Sequence, residues 1–460
     1  MTNRLLMAAT LVAATATISV DAHAQAWLGD RRYREGIGIR TGNLELHPSL
    51  AGEIGYDSNY FQRAPSEDPI DFMRLRITPS LSLSTLGAQR RSYDEPGAAQ
   101  PSFEFRGGVN ASYNEFFAMD SADSEAASQQ RDLAAGVDFN LEILPHKPWG
   151  GQLYGDFTRT VEPSNNPDSD YAYDRDALKL GAMLAWRPGG GLFDWRLGYE
   201  FRYNYFEATA YRTLSNVHHY LKTRGHWRFL PRTALVYDAE LGWVNYEQDN
   251  GYLNDSQPVR SRIGLNGLVT THFGFLAMVG WGASFYSGNN VATVQDFDSV
   301  IAQAEVKWYL APQQKVPEEG AGTGLSTISA GYLRDFQDSY VSDYYQRDRG
   351  YARLEYFFGG VVVTSLEGGF TRYGFPTPYF ANGAMLNPPN GPFTEKRIDA
   401  QAFAEYRVSD TVGINTTLRY DMNIADQRMQ TDPAAPPGDA SEDDREFKRY
   451  QIFLGARWFM

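Results

Sequence analysis

The chain has 460 residues, of which 21% are charged, with a mean hydropathy of -0.45 and a formal net charge of -14. No run of about 20 apolar residues follows the first 25, which excludes a helical membrane protein, and 29 Tyr, 27 Phe and 9 Trp exclude a disordered chain. The absence of cysteine excludes disulfides, thiolate metal sites and a cysteine nucleophile; it fits an exported chain without proving export.

Residues 1–24 read as a secretory signal peptide. Arg4 supplies the positive start, residues 5–20 an apolar stretch, and Ala22-His23-Ala24 a cleavage site. The Thr-rich run is weak for an anchor helix. Residues 25–43 are expected to be a short periplasmic segment, and residues 44–460 a single barrel domain.

From residue 44 the hydrophobic signal has period 2. In 192–206, Phe193, Trp195, Leu197, Tyr199, Phe201 and Tyr203 alternate with Asp194, Arg196, Gly198, Glu200 and Arg202. In 411–424, Val412, Ile414, Thr416, Leu418 and Tyr420 alternate with Gly413, Asn415, Thr417, Arg419 and Asp421, and the last residues do the same. Alternate side chains of a strand point to opposite faces. The rule marks about 18 strands, at 44–58, 71–86, 102–114, 131–144, 149–161, 173–187, 192–206, 215–230, 232–246, 258–271, 273–286, 299–311, 325–336, 344–358, 361–373, 396–408, 411–424 and 447–460. Alternation is poorest at 149–161, 325–336 and 361–373.

Connections alternate between tight turns and long loops. The exceptions on the short side are 87–101 and 312–324. This pattern predicts an all-β, transmembrane antiparallel β-barrel of about 18 strands, with short periplasmic turns and long extracellular loops in the bacterial outer membrane. Lipid cannot satisfy an open strand edge, so a sheet in a bilayer must close. A soluble sandwich or propeller would use shorter strands. Ring residues cluster at segment ends, as interfacial belts do. Phe103, Trp149, Trp186, Trp227, Phe273, Trp308 and Trp458 fall at the short-turn rim; Tyr56, Tyr113, Tyr203, Tyr246, Phe285, Tyr332, Tyr373 and Tyr420 fall at the other.

The polar phase carries the candidate pore-lining residues Arg74, Arg76, Arg106, Arg196, Arg202, Lys222, Arg224, Arg260, Arg262, Arg347, Arg349, Arg407, Arg419, Glu200 and Glu405. Arg or Lys at the lipid midplane would cost about 2–4 kcal/mol, so the lumen is their place. Two readings stay open: mutual ion pairing that stiffens the wall, and a basic field that attracts anionic solutes. The long loops are acidic, which suits a surface beside lipopolysaccharide, although solvated loops are commonly charged.

Residues 44–85 carry Pro48-Ser49-Leu50, then Tyr56-Asp57-Ser58-Asn59, then Pro79-Ser80-Leu81. This stretch resembles the opening of the outer-membrane β-barrel porin family of the second type. Some of its members are tied to exopolysaccharide export, and the resemblance implies that candidate role. The end of the chain is similar to the assembly signal of outer-membrane proteins, except that Met460 is last and Phe459 stands one place early. Trp458, Leu454 and Ile452 keep the phase, so recognition by the barrel-assembly machinery is expected.

Chemistry is sparse. His218 and His219 are adjacent and face opposite sides, so they cannot share a metal on one face. No compact nucleophile–base pattern, calcium-loop spacing, phosphate-cradling glycine loop or basic nucleic-acid face occurs. The expectation is no enzyme, cofactor, metal or nucleic-acid partner. It is a porin for polar solutes or secreted polysaccharide, with membrane lipid, lipopolysaccharide and polysaccharide-export proteins as candidate partners. The alternative is a closed-lumen structural or adhesive barrel.

Overall fold

The structure is a computed structural model. It describes residues 38–66, 68–85, 101–160, 175–189, 192–207, 209–247, 253–288, 294–310, 326–340, 342–358, 361–377, 392–425, 428–430 and 442–460. The expected signal peptide, most of the 25–43 segment, the connections 162–171 and 312–324, nearly all of 87–101 and most of the acidic 432–446 stretch lie outside them.

Eighteen long strands form the wall. They are β1 (Leu44–Asp57), β2 (Phe72–Thr85), β3 (Phe103–Ala118), β4 (Asp132–Ile143), β5 (Trp149–Thr160), β6 (Arg175–Trp186), β7 (Phe193–Phe206), β8 (Asn216–Leu230) and β9 (Thr233–Tyr246). Then follow β10 (Ser256–Leu268), β11 (Phe273–Tyr286), β12 (Phe297–Tyr309), β13 (Thr327–Asp338), β14 (Tyr344–Phe358), β15 (Val362–Phe375), β16 (Phe393–Ser409), β17 (Val412–Ile424) and β18 (Phe447–Phe459). Each pairs antiparallel with its chain neighbour, and β18 also pairs with β1, so the sheet closes. A three-residue strand, Ile39–Thr41, adds to β1 through a turn in which Gly42 takes a positive φ of 59°. The three poorly alternating segments are strands too. The predicted 102–114 and 396–408 run on to Ala118 and Ser409, and 115–118 keep the alternation that a loop would lose.

Alternation becomes orientation. On β1, Glu53, Gly55 and Asp57 are buried while Leu50, Ile54 and Gly52 are exposed. On β18, Tyr450, Ile452, Leu454 and Trp458 are exposed. An apolar outer surface around a polar interior inverts a soluble β-sandwich, which buries its apolar faces together. The belt at the short-turn rim is built: Trp149 stacks on Trp186 at 5.8 Å and Phe273 on Trp308 at 5.9 Å across paired strands. The protein is thus an outer-membrane barrel, with both described chain ends at the periplasmic rim. Two belt residues are corrected. Tyr373 packs inward among Tyr345, Phe375 and Phe393, and Tyr246 packs against Phe206, Leu214 and Leu253. Both fall on the inward phase of their strands, so period 2 outweighs the preference of rings for interfaces.

The two Pro-Ser-Leu elements lie against each other. Pro48 pairs with Leu81, Ser49 with Ser80 and Leu50 with Pro79, and the serine hydroxyls meet at 2.5 Å. Proline cannot donate to a ladder, and each sits where one ladder lapses. The β1–β18 register starts at Ser49, and the β2–β3 register skips from Ile77 to Ser80. The terminal Met460 N–H donates to the Pro48 carbonyl. Phe459 turns inward beneath the Arg457 and Arg407 guanidiniums, which explains why the last outward ring is Trp458.

Candidate functional site in the barrel lumen

The inward faces form three zones. The first follows the seam where the chain's two ends meet. β18 and β1 share only nine residue pairs, so side chains carry much of the closure. Asp57 ends β1 fully buried. It accepts from Arg74 (3.2 Å), from Arg449 (2.9 and 2.5 Å) and from Gln451 (2.7 Å), tying β1, β2 and β18. Tyr60, from the first long loop, packs on Phe72 and Phe116 and lies under both guanidiniums, at 5.2 and 5.7 Å. Asn59 fixes that loop: its side chain accepts from the Arg63 N–H and donates to the Arg63 and Lys448 carbonyls. The Tyr-Asp-x-Asn corner therefore has a physical task. Asp57 holds the seam and Asn59 shapes the loop that keeps it dry. Lower down, Arg76 lies 3.8 Å from Glu53 and stacks on Phe453 at 4.2 Å. Gly55 makes room for that ring, since a Cβ there would stand 2.2 Å from it. Glu405, near the periplasmic rim, accepts from Arg457 at 2.7 Å and lies 3.9 Å from Arg407.

The second zone is a half-buried ladder across β4–β10. Lys222 bridges Glu200 (2.7 Å) and Glu240 (3.6 Å), and Arg202 joins Glu200 at 2.7 Å. Arg260 continues the row from Glu240 (2.6 Å) to Asp335 (3.1 Å), while Arg262 grips Asp238 with two nitrogens. Toward the periplasm, Arg196 and Arg187 share Glu142 and Asp194. On the far wall Arg349 contacts Glu367 and Asp399. Arg347 is buried on the inward phase of β14. Of the candidates, Arg106, Arg224 and Arg419 have no carboxylate partner among the described residues; Arg106 and Arg224 are exposed in the periplasmic half. The two readings of the inward bases therefore divide the wall. Pairing runs through both halves, and the exposed cations without a carboxylate partner among the described residues lie in the periplasmic half.

The third zone is the mouth, which the sequence did not announce. β12 and β13 pair only from Tyr309↔Thr327 to Ala302↔Arg334, leaving the last four residues of β13 free of β12. Those residues still pair with β14, which stays joined to β15 from Gln346 onward, so the hairpin tip parts from the wall on its β12 side alone. Asp338 accepts from Ser256 of β10 (2.9 Å) and Tyr286 of β11 (2.7 Å). Asp343 accepts from Asn254 (3.0 Å) and from the Gln295 N–H (2.8 Å). Phe336 packs on Phe297 at 4.2 Å with Arg260 over its ring. Tyr340 reaches Phe206 at the end of β7. β7 is six strands from β13. At about 4.8 Å per strand, a path along the wall would be nearly 30 Å. The contact therefore crosses the lumen.

His218 and His219 face opposite sides as expected. His218 sits within hydrogen-bond reach of Asn216 and Tyr220 inside, and His219 meets the Tyr199 hydroxyl outside. Among the described residues, no group of three or more His, Asp or Glu is placed to hold a metal.

No family model and no curated protein matches the sequence. Solved structures are similar in fold. The chain is similar to Pseudomonas aeruginosa OccK5 (OpdH), at 10% identity over 90% of this chain and 98% of that one, with a TM-score of 0.41. It is similar to Pseudomonas aeruginosa OpdQ at 9% identity, over 91% and 97%, with a TM-score of 0.45. For Acinetobacter baumannii OccAB3 the values are 12%, 90%, 99% and 0.42.

Proposed function

We propose that this chain is a porin that passes small polar solutes, anions in particular, with the β13–β14 hairpin setting the narrowest passage. One observation carries the reading. An 18-strand barrel is wide enough for an aqueous channel, and here a charged ladder leads from exposed inward cations in the periplasmic half to a crossing segment at the mouth. Exposed Arg106, Arg224 and Arg228 would raise local anion concentration at the periplasmic entrance. A secreted polysaccharide, the role implied by the sequence resemblance, is the larger solute of the same chemistry. The outward phase of β18 supports recognition by the assembly machinery, and the acidic loops support contact with lipopolysaccharide through divalent cations.

Planar-bilayer recording of the purified protein tests the proposal. Small, discrete conductance steps are expected. Replacing 339–343 with two glycines should enlarge them several-fold, because Tyr340 and Asp343 would no longer span the mouth. No current from either protein would contradict transport and leave a closed structural barrel.

A further inference from the structure

We propose that the outer face of β15 and β16 holds one phosphorylated lipid of the outer leaflet, its phosphate between Arg372 and Lys396. These two residues are direct partners in the β15–β16 register. Both are exposed on the outward phase, with Thr371, Tyr373 and Glu395 buried on the inward one. Like charges directly opposite across a strand pair repel. Other outward cations at this height have carboxylates: Arg159 has Glu207, Arg131 has Glu115, Arg334 has Asp348. Asp348 pairs in register with Arg372 on its other side, but it is taken up by Tyr332 (2.6 Å), Gln346 (2.8 Å) and Arg334 (3.4 Å). Arg372 and Lys396 thus face the lipid boundary as a cation pair without a counter-ion among the described residues.

Their height suits a headgroup. On β16 the outward residues from Tyr406 to Ile398 are uncharged: Tyr406, Ala404, Ala402, Ala400 and Ile398. Eight steps of about 3.4 Å, tilted by about 40°, cover roughly 20 Å, close to the apolar band of such barrels. Lys396 is the next outward position. The outward row directly below the pair is Gly350, Phe370 and Ile398, and beneath that row the wall is cut back. Ala352, Gly368 and Ala400 lie side by side on β14, β15 and β16, and all three are exposed. A Cβ at Gly350, just above on β14, would meet nothing within 4 Å. A phosphate that accepts from the Arg fork and the Lys ammonium, with an acyl chain along this furrow, fits both features. A free anion would use only the first.

The test uses the full chain in detergent, titrated with diphosphorylated lipid A and with its dephosphorylated form, and read by native mass spectrometry. The wild type should hold one lipid A at least about tenfold more tightly than the dephosphorylated lipid. Arg372→Gln with Lys396→Gln should remove that difference, with folding verified by the heat-dependent gel shift. Arg372→Lys, which keeps the charge, should retain most of it, and Gly368→Leu should weaken lipid A with the cations intact. Equal binding of the two lipids by the wild type would overturn the site. So would binding unchanged in the double variant, or full displacement by millimolar inorganic phosphate with no effect of Gly368→Leu.

Discussion

The seam and the ladder use the same ingredients, guanidinium and carboxylate, under opposite conditions. At the seam Asp57, Arg74 and Arg449 are almost wholly buried beneath Tyr60, and each partner has few substitutes. Across β7–β10 Arg202, Lys222, Glu240 and Arg260 keep roughly a tenth to a third of their side-chain surface exposed around a buried Glu200, and Glu200, Lys222, Glu240 and Arg260 each have two partners in a row. A buried pair broken on one side leaves a stranded charge, whereas a wet pair is screened and replaceable. The seam should therefore govern whether the barrel stays closed, and the ladder what passes through it.

The largest expected effect is at the seam. Asp57→Ala strands two buried guanidiniums and should cost about 3–5 kcal/mol. It would appear as a clear drop in the temperature at which the folded band gives way in SDS gels. Gly55→Ala acts on the same zone through shape, since its Cβ would stand 2.2 Å from the Phe453 ring; a loss of about 1–3 kcal/mol is expected in the same assay. The smallest stability change is on the ladder. Lys222→Gln leaves Glu200 with Arg202 and Glu240 with Arg260, so the loss should stay under about 1 kcal/mol. Its reversal potential in a salt gradient should nevertheless shift toward cations. A large stability loss with unchanged selectivity would erase the distinction between the zones.

The strands and their faces were legible because period 2 is local: Phe193 to Tyr203 declare their outward side within a dozen residues. The short helix Ser124–Gln129 inside a predicted loop was not, since six residues give no helical period to read. Asp120, which accepts from the Ala122 N–H at the head of the preceding turn, was the available signal. The candidate wall residues were legible as inward charges, but their pairing was not. Arg260 finds Asp335 across 75 positions, and the mouth depends on β12 and β13 ceasing to pair, which no alternation records. Tyr340 and Asp343 looked like ordinary loop residues for that reason. Asp57 was visible only as part of a corner motif, and its partner Arg449 lies 392 positions away.

The absence of cysteine makes the central claim directly measurable. Single cysteines at Arg224 and Arg262, on the inward phase, and at Leu221 and Ile263, on the outward phase, can be challenged in liposomes with a membrane-impermeant thiol reagent on both sides. Labelling at the first two positions and protection at the second two is the predicted result. Equal labelling of all four, or labelling confined to 221 and 263, would contradict a lipid-facing wall around a water-filled interior.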